Sequence, residues 1–398
     1  MLKGKTVLLG VSGGIACYKA AEVASALVKM RCNVHVLMTK NATEFIAPLT
    51  FETLTGNKAV VDTFDKNRQW EVEHIALADR ADLVFVAPAT ANVLAKLAHG
   101  LADDMLTTVT LAATCPKLVA PAMNTHMLQN PITQNNLEIL AGYGFTVIPS
   151  GSGMLACGDV GSGRLPEEDL LVDYVLREIA CDKDLRGRKI VVTAGATEEP
   201  LDPVRVLTNH STGKMGYALA RACMLRGADV TLVAAKNITL PAVPFVKAIN
   251  FTSAASLFSA VKEEAMNADA LIMAAAVADY RPTTVAQNKI KKSDDDLTLT
   301  LERTEDILAW VGSHKPADLF VCGFSMETEH LLENSAAKLQ RKNLDMIVAN
   351  DLQTPGAGFG VDTNVVTLIT ADSTEALPLQ SKDDVAQAIA GRIAQALR

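Results

Sequence analysis

The chain has 398 residues, of which 49% are hydrophobic, and its formal net charge at pH 7 is −8. At about 150 residues per domain, this length predicts two or three domains, each with a buried core. The negative charge argues against a nucleic-acid-binding protein, which needs a basic surface, but small phosphorylated ligands need only local positive charge.

The first half of the chain alternates strand-like and helix-like patterns. The strand KTVLLG is followed by the glycine turn VSGGIA, an amphipathic helical stretch and a second strand, CNVHVLMT. The rhythm continues through ADLVFVAPAT, KLVAPAM and FTVIP, which are separated by helical segments. Continuous apolar strands alternating with helices predict a parallel sheet covered on both faces. The first domain is predicted at residues 1–180, and the polar segment 181–188 is interpreted as a linker.

The same rhythm restarts in residues 189–398. RKIVVTAG, the helical stretch KMGYALARACMLRG and the strand ADVTLVAA are followed by ADALIMAAAVADY, which echoes ADLVFVAPATAN of the first half. A hairpin-like pair around LTLTLERT and VVTLIT suggests antiparallel additions to the second sheet. The predicted fold class is therefore α/β, with two tandem, doubly wound, mainly parallel-sheet domains.

The sequence gives no support for a membrane protein, a secreted protein or a zinc-binding protein. No apolar segment approaches the roughly 20 uninterrupted residues of a membrane span. The N-terminal residues run straight into a strand without a signal-peptide cleavage region. The seven cysteines are scattered, without CxxC or a Cys/His cluster of zinc spacing. We expect a cytoplasmic protein that contacts neither membranes nor nucleic acid.

The GVSGGIA turn follows a strand and opens a helix, so its backbone N–H groups could hold a phosphate. It is not GxGxxG, and the second strand ends in MTK without the carboxylate that a dinucleotide ribose usually needs. Thr39 instead offers a hydroxyl for another phosphate oxygen. The alternative is that the turn is only a tight connection.

Other polar residues follow predicted strands. APATAN and PAMN end two neighbouring strands at their carboxyl ends, where open α/β sheets bind ligands, and Asn124 could donate to a carboxylate. His74 follows a polar loop, and a lone histidine is more often structural than catalytic. Cys157 lies in the glycine-rich stretch LACGDVGSGRL, although structural cysteines usually sit in apolar runs. Each feature alone has a plain structural reading.

Taken together and in order, GVSGGIA, the histidine of VEHIAL, APATAN, PAMN and ACGD resemble the homo-oligomeric flavin-containing cysteine decarboxylases. The match covers about residues 1–180, looks like phosphopantothenoylcysteine decarboxylase and implies a flavodoxin-like flavoprotein that binds FMN. It gives Asn124 the substrate carboxylate and His74 a place beside flavin and substrate. It makes Cys157 the proton donor on a glycine-hinged flap. The residues expected to bind FMN are Ser12, Gly13, Gly14, Thr39, Ala89 and Thr90.

In the second half, the loop ending in TNHSTGKMG, AAAVADYRP, NKIKK, GFSMET and AAKLQRKNLDMIVAND resemble phosphopantothenate–cysteine ligase over nearly all of residues 185–398. The resemblance implies a Rossmann-like domain that uses CTP to activate 4′-phosphopantothenate as an acyl-cytidylate, which the amine of cysteine then attacks. A divalent ion, Mg²⁺, is expected to bridge the phosphates, with protein ligands that remain unknown. Lys289 is expected to act in activation and Asn209 at the acyl-cytidylate step. The residues expected to bind CTP are Asp279, Lys289, Asp306, Ile307, Phe324, Lys338 and Lys342.

Two departures from the family pattern are visible: GATEEP replaces the more usual GPTREP, and TEDIL replaces NPDI. No function is therefore assigned to Glu198. The resemblance also implies trimeric decarboxylase units and dimeric ligase units, hence a homo-oligomer.

Two rival classes stay open at this point. An NAD-dependent dehydrogenase fits the α/β pattern but lacks GxGxxG and the following acid. A non-catalytic flavin-binding regulator of the same fold would be expected to lose the catalytic residues and to carry acidic extensions. This chain keeps His74, Asn124 and Cys157 and ends on a short helical tail.

Overall fold

The computed structural model describes residues 2–63, 73–154, 158, 160–292, 296–327, 329–351, 354, 356–358 and 360–398. It divides into two compact units, Met1–Cys181 and Asp182–Arg398. Each is an α/β unit built on a parallel sheet, as the sequence predicts.

The first unit begins with a fully formed strand–helix–strand unit, and its elements follow in this order: β1 (Thr6–Val11), α1 (Cys17–Lys29), β2 (Asn33–Met38), a 3₁₀ helix (Lys40–Glu44), α2 (Pro48–Thr55), α3 (Glu73–Arg80), β3 (Leu83–Ala89), α4 (Ala91–Ala98), α5 (Met105–Ala112), β4 (Lys117–Pro121), α6 (Thr125–Gln129), α7 (Pro131–Gly142), β5 (Phe145–Val147), β6 (Gly151–Met154), β7 (Val160–Arg164) and α8 (Glu168–Ile179).

Five strands of this unit form one parallel sheet in the order β2-β1-β3-β4-β5. This is the flavodoxin-like strand order, in which the chain reverses direction across the sheet between β1 and β3. All seven residues of β3 are buried, which explains its continuous apolar sequence. β6 and β7 form a separate antiparallel pair.

The second unit repeats the plan with a longer sheet, and its elements are β8 (Lys189–Ala194), β9 (Glu198–Pro200), β10 (Val206–Thr208), α9 (Lys214–Leu225), β11 (Asp229–Ala235), β12 (Lys247–Phe251), α10 (Ala254–Ala265), β13 (Ala270–Met273), β14 (Tyr280–Pro282), β15 (Leu301–Arg303), α11 (Ile307–His314), β16 (Phe320–Met326), α12 (Leu331–Arg341), β17 (Met346–Asn350), β18 (Thr363–Thr370), β19 (Thr374–Ser381) and α13 (Lys382–Ala396).

Its main sheet has the order β12-β11-β8-β13-β16-β17-β18-β19. The first six strands are parallel and follow the doubly wound order 3-2-1-4-5-6 of dinucleotide-binding sheets, with the reversal between β8 and β13. β18 and β19 extend the sheet in antiparallel fashion. The predicted addition at VVTLIT is thus present, but its partner is β19. The LTLTLERT segment contributes β15, which pairs with β14 in a small sheet of its own.

Candidate active sites

In the first unit, the loops after β1 and β3 meet where the strand order reverses. The Ser12 hydroxyl donates to the backbone carbonyl of Pro88 at 2.8 Å and accepts from the backbone N–H of Thr90 at 3.0 Å. Ser12 itself is fully buried. The predicted phosphate turn and the APATAN segment, which contains Ala89 and Thr90, are therefore joined at the crevice where flavodoxin-like sheets bind their ligand.

The glycine turn also lies against the 3₁₀ helix that follows β2. A Cβ added at Gly13 would come within 2.5 Å of the Cβ of Asn41, so only glycine allows this approach, whereas a Cβ at Gly14 would meet only Thr90, at 3.7 Å. Thr39 is buried and caps the 3₁₀ helix by accepting from the Ala42 N–H at 3.3 Å. The three loops that carry the predicted phosphate contacts thus lie together.

Two helices of this unit begin beside these loops without a side-chain cap. The N-cap residues are Ala16 for α1 and Thr90 for α4, and neither makes a side-chain capping hydrogen bond within the described part of the chain. Uncapped N–H groups at a helix start, together with the helix dipole, favour an anion. The crevice therefore fits the single phosphate of a mononucleotide such as FMN, and Ser12 fits a role in holding its two walls together.

The β6–β7 hairpin is fixed to the loop that carries Asn124. The N–H of Met123 donates to the Gly163 carbonyl at 3.0 Å, and the Thr125 hydroxyl donates to the Ser162 carbonyl at 2.7 Å. Asn124 caps α6 by accepting from the His126 N–H at 2.9 Å. A Cβ at Gly163, which has φ of +121°, would lie 2.1 Å from the Met123 carbonyl oxygen. Hairpin and loop therefore pack at a distance that only glycine allows.

The structure gives less information about the other predicted site residues of this unit, His74 and Cys157. His74 is the second residue of α3 and is half-buried. Cys157 lies outside the described residues, between the two strands of the hairpin. The roles expected for His74, Asn124 and Cys157 stay predictions.

The second unit contains a cavity of about 300 Å³ at the carboxyl ends of β13, β16 and β17. Its walls come from the loop before α9, the segment after β13, the start of α11, the α12 helix and the N-terminus of α13. Parallel strands of a doubly wound sheet bind ligands at this edge. Six of the residues predicted to bind a nucleotide line this one cavity: Asp279, Asp306, Ile307, Phe324, Lys338 and Lys342.

Asp306 and Lys342 form an ion pair on the cavity wall. The Lys342 ammonium lies 2.9 Å from Oδ1 and 2.8 Å from Oδ2 of Asp306, which also accepts from the Ala309 N–H as the N-cap of α11. Burial raises the pKa of Asp306, but these two hydrogen bonds and the Lys342 charge outweigh it, so the pKa is lowered overall. Lys338 is paired with Glu327 in a similar way. Both lysines are thus held in place by carboxylates.

Asn209 and Lys289 are not among the described residues that line the cavity. Asn209 reaches its edge, because its Nδ2 donates to the carbonyl of the lining residue Ala276 at 3.4 Å. Lys289 is exposed, and its neighbour Ile290 is held by Asp202 and Arg205 on the loop after β9. The roles expected for both residues stay predictions.

Sequence reasoning missed several residues of the cavity. Lys214 and Ser325 line it, as do Asn350, Asn364 and Lys382. A signal for Asn350 was available, since it ends the apolar strand MIVAN at the ligand-binding edge. Lys382 had none, because SKDDV reads as an ordinary solvated helix start. Within the described ranges, no group of three or more His, Cys, Asp or Glu side chains could hold a metal ion, and none of the helices has both the length and the hydrophobicity of a membrane span.

Comparisons with known proteins agree with this two-part organisation. Residues 1–180 match the family model described as "Flavoprotein", and residues 185–397 match "DNA/pantothenate metabolism flavoprotein C-terminal domain". The coenzyme A biosynthesis bifunctional protein CoaBC of Bacillus subtilis (strain 168) is 46% identical over 397 residues, covering 99% of this chain and 98% of the relative.

CoaBC of Vibrio cholerae is 46% identical over 390 residues, covering 98% of this chain and 97% of the relative. A solved C-terminal domain of a CoaBC protein is 38% identical and covers 54% of this chain and 98% of that structure, with a TM-score of 0.47. The family matches and the near-complete coverage at 46% identity show that this chain belongs to the family of coenzyme A biosynthesis bifunctional proteins, CoaBC, with a flavoprotein first half and a ligase-type second half.

Proposed function

We propose that the chain catalyses two consecutive reactions of coenzyme A biosynthesis. Its second unit joins cysteine to 4′-phosphopantothenate at the expense of CTP, and its first unit decarboxylates the resulting phosphopantothenoylcysteine to 4′-phosphopantetheine with FMN. The observation that carries the proposal is one cavity of the second unit, in which six residues chosen from sequence come together. Family membership supports both halves.

In the ligase reaction, the carboxylate of 4′-phosphopantothenate attacks the α-phosphorus of CTP, and pyrophosphate leaves. Negative charge builds up in this step, so lysines placed at the phosphates lower the barrier. Lys338 and Lys342, which line the cavity wall, are proposed to serve this purpose, and Lys289 is proposed to approach the phosphates during activation. Mg²⁺ is proposed to accompany the nucleotide. Asn209, at the cavity edge, is proposed to position the acyl-cytidylate for attack by the amine of cysteine.

In the first unit, the helix starts of α1 and α4 and the predicted contacts Ser12, Gly13, Gly14, Thr39, Ala89 and Thr90 are proposed to hold FMN. When bound, FMN supplies the hydride acceptor and donor that the reaction needs, and a C=S group beside the carboxylate takes up the electrons as CO₂ leaves.

The other proposed roles belong to side chains of this chain. Asn124 binds the substrate carboxylate, and His74 lies beside the flavin and substrate. Cys157 donates the proton that restores the saturated product. The sequence places no Lys, Arg or His beside Cys157, which suits a thiol that must stay protonated until it donates.

We further propose that the domains extend over residues 1–180 and 189–398 with a linker at 181–188. The protein is proposed to act in the cytoplasm as a homo-oligomer, with trimeric decarboxylase units and dimeric ligase units.

The purified protein should test this function directly. With 4′-phosphopantothenate, cysteine, CTP and Mg²⁺, we expect pyrophosphate, CMP, CO₂ and 4′-phosphopantetheine, identified by mass. Without CTP, the first reaction should not join cysteine to 4′-phosphopantothenate. Phosphopantothenoylcysteine that is added directly should still be decarboxylated. A yellow protein that performs neither reaction would instead indicate a non-catalytic flavin-binding protein.

A further inference from the structure

One lysine that lines the second-unit cavity is buried and, among the residues that the structure describes, is held by backbone carbonyls and not by a carboxylate. Lys382, the first residue of α13, is only 8% exposed and lines the cavity. Its ammonium donates to the backbone carbonyls of Gly358 and Val361, at 3.1 and 2.5 Å. Within the part of the chain that the structure describes, it makes no hydrogen bond to a carboxylate. Because a buried charge is costly unless it is paired, this position calls for an anion.

The other cavity lysines are already compensated. Lys338 is paired with Glu327, Lys342 with Asp306, and Lys214 with Asp362 at 2.7 Å. Burial lowers the pKa of Lys382, and the charge of Lys214 lowers it further, whereas Asp362 raises it only in part. Among these four lysines, Lys382 is therefore the one without a carboxylate in hydrogen-bond contact within the described residues.

Two buried polar groups in the wall of the same cavity have no hydrogen-bond partner in the described part of the chain. The hydroxyl of Ser325, on β16, is 2% exposed and has no hydrogen-bond partner among the described residues. The Oδ1 of Asn350, at the end of β17, is likewise unpaired, and this residue is 6% exposed. Buried polar groups are nearly always satisfied, so such groups in a cavity wall indicate a ligand that satisfies them. A hydroxyl can donate to a phosphate oxygen, and an amide oxygen can accept from a ligand hydroxyl or N–H.

We propose that Lys382 and Ser325, which line the same cavity, form a phosphate subsite there, and that Asn350 accepts a hydrogen bond from the same ligand. The proposal rests on the proposed function, because both CTP and 4′-phosphopantothenate carry phosphate together with hydroxyl or N–H donors. Lys382 is thereby a substrate-binding residue, and its bonds to Gly358 and Val361 hold the ammonium in place. A purely structural Lys382 would tie two carbonyls together and leave phosphate affinity unchanged.

The test measures phosphate affinity in the full-length protein by calorimetry, using inorganic pyrophosphate, CTP with Mg²⁺ and 4′-phosphopantothenate as separate probes. Lys382→Met keeps an unbranched side chain that is one heavy atom shorter and removes its charge. We expect affinity to fall about tenfold or more for the probe whose phosphate occupies the subsite, the scale of a lost hydrogen bond to a charged group. A loss for CTP and pyrophosphate assigns the subsite to the nucleotide, and a loss for 4′-phosphopantothenate assigns it to the acid substrate.

Two further variants separate binding from folding. Lys183→Met is the matched control, because the Lys183 ammonium also donates to a backbone carbonyl, that of Leu225 at 2.6 Å, but does not line the cavity. We expect it to leave all three affinities unchanged. Ser325→Ala removes an unpaired buried hydroxyl, so we expect thermal stability to hold or rise while affinity for the same probe falls.

The outcomes are distinguishable. If the unmodified protein binds CTP and forms phosphopantothenoylcysteine, but Lys382→Met and Ser325→Ala bind all three probes as tightly as it does, the subsite is disproved and the proposed function stands. If the unmodified protein binds none of the probes, both proposals are overturned.

Discussion

Lys289 and Lys342 have the same charge but different surroundings. Lys342 is fixed by Asp306 on the cavity wall, whereas Lys289 is exposed on a segment anchored one residue further along the chain. A fixed lysine offers a preorganised charge to a bound nucleotide, and an exposed one can approach the phosphates as the reaction proceeds. This contrast supports a role for Lys289 in the first ligase step.

Lys289→Gln should therefore prevent pyrophosphate release, because the charge that offsets the phosphates is lost. Asn209→Asp should still release pyrophosphate but accumulate the acyl-cytidylate, since Asn209 is proposed to act later. Phosphorus NMR and mass spectrometry of the reaction mixture distinguish the two, and decarboxylation of added phosphopantothenoylcysteine should stay normal in both. Equal loss of pyrophosphate release in the two variants would place Asn209 in substrate or nucleotide binding instead.

Cys157→Ser keeps the shape of the side chain but replaces a thiol by a much weaker acid. We expect CO₂ release to continue while the oxidised ene-thiol product accumulates, because its protonation is proposed to require Cys157. Product analysis by mass is the measurement, with Cys115→Ser as a control for general effects of losing a thiol. Full conversion to 4′-phosphopantetheine by the Cys157 variant would show that another group donates the proton.

At the residue scale, the family resemblance named residues that the fold brings to one cavity, and their roles in binding CTP stay predictions. Asp279 and Phe324 belong to the segments at the ends of β13 and β16, so a doubly wound sheet brings them to one edge. Lys382 and Ser325 could not be chosen in this way. Lys382 is buried with only backbone carbonyls as hydrogen-bond acceptors and the Ser325 hydroxyl is buried without a partner among the described residues, and neither property is recorded in a local sequence pattern.

At the element scale, the β6–β7 hairpin and the loop that carries Asn124 are packed tightly against each other. The contact depends on Gly163, where a Cβ would collide with backbone that cannot move aside easily. The sequence shows the glycines of this stretch but not their purpose, because positive φ and close approach appear only when the loop is in place. In the LTLTLERT segment, the alternating pattern correctly predicts a strand, β15. The pattern does not identify the strand that pairs with it, which is β14.

Gly163→Ala should displace the hairpin and destabilise the first unit by about 1–3 kcal/mol. We expect decarboxylation to fall while the ligase reaction is unchanged, as measured by CO₂ release and pyrophosphate release on the same preparation. Gly142→Ala is the matched control, because a Cβ there meets nothing within 4 Å. A Gly163 variant with normal decarboxylation and melting temperature would contradict the close packing.

Asp202 organises the loop after β9 and the segment next to Lys289. Burial raises its pKa, but hydrogen bonds from Arg205 and from the N–H groups of Val204, Ile290 and Arg205 lower it strongly overall. Because the folded-state pKa lies below the value of about 4 in the unfolded chain, the carboxylate stabilises the fold above that pH. This contribution is lost as the pH falls through the folded-state pKa.

Asp202→Asn should therefore lower the melting temperature of the second unit at pH 7, and the difference from the unmodified protein should shrink as the pH falls below about 4. An amide at this position would also place its own N–H donor against the N–H groups that donate to the Asp202 carboxylate. The Lys289 segment would then lose its anchor, and the apparent KM for CTP should rise. Asp318→Asn, at an exposed position, is the control and should change neither quantity. A pH-independent difference would mean that the charge of Asp202 is not what stabilises the loop.

At the scale of the whole molecule, each unit has its own hydrophobic core. One core cluster extends from Leu8 to Leu140 and another from Val191 to Ile369. The two rhythms of strand and helix made two domains predictable from sequence, because each doubly wound sheet needs its own set of helices on both faces to bury its apolar strands. The cavity of the second unit and the flavin crevice of the first are likewise each built within one unit.

Separate cores predict that the first unit folds and functions alone. A fragment of residues 1–181 should give one cooperative unfolding transition, purify yellow with FMN, and decarboxylate phosphopantothenoylcysteine without CTP. Within this fragment, Ser12→Ala is the variant that tests the flavin site. It removes the hydroxyl that joins the loops after β1 and β3, and it should reduce flavin retention. The released flavin is identified by mass and its affinity by fluorescence titration. A fragment that unfolds cooperatively but cannot be reconstituted with FMN would overturn the flavin site, whereas a fragment that fails to fold would show that the first core needs the second unit.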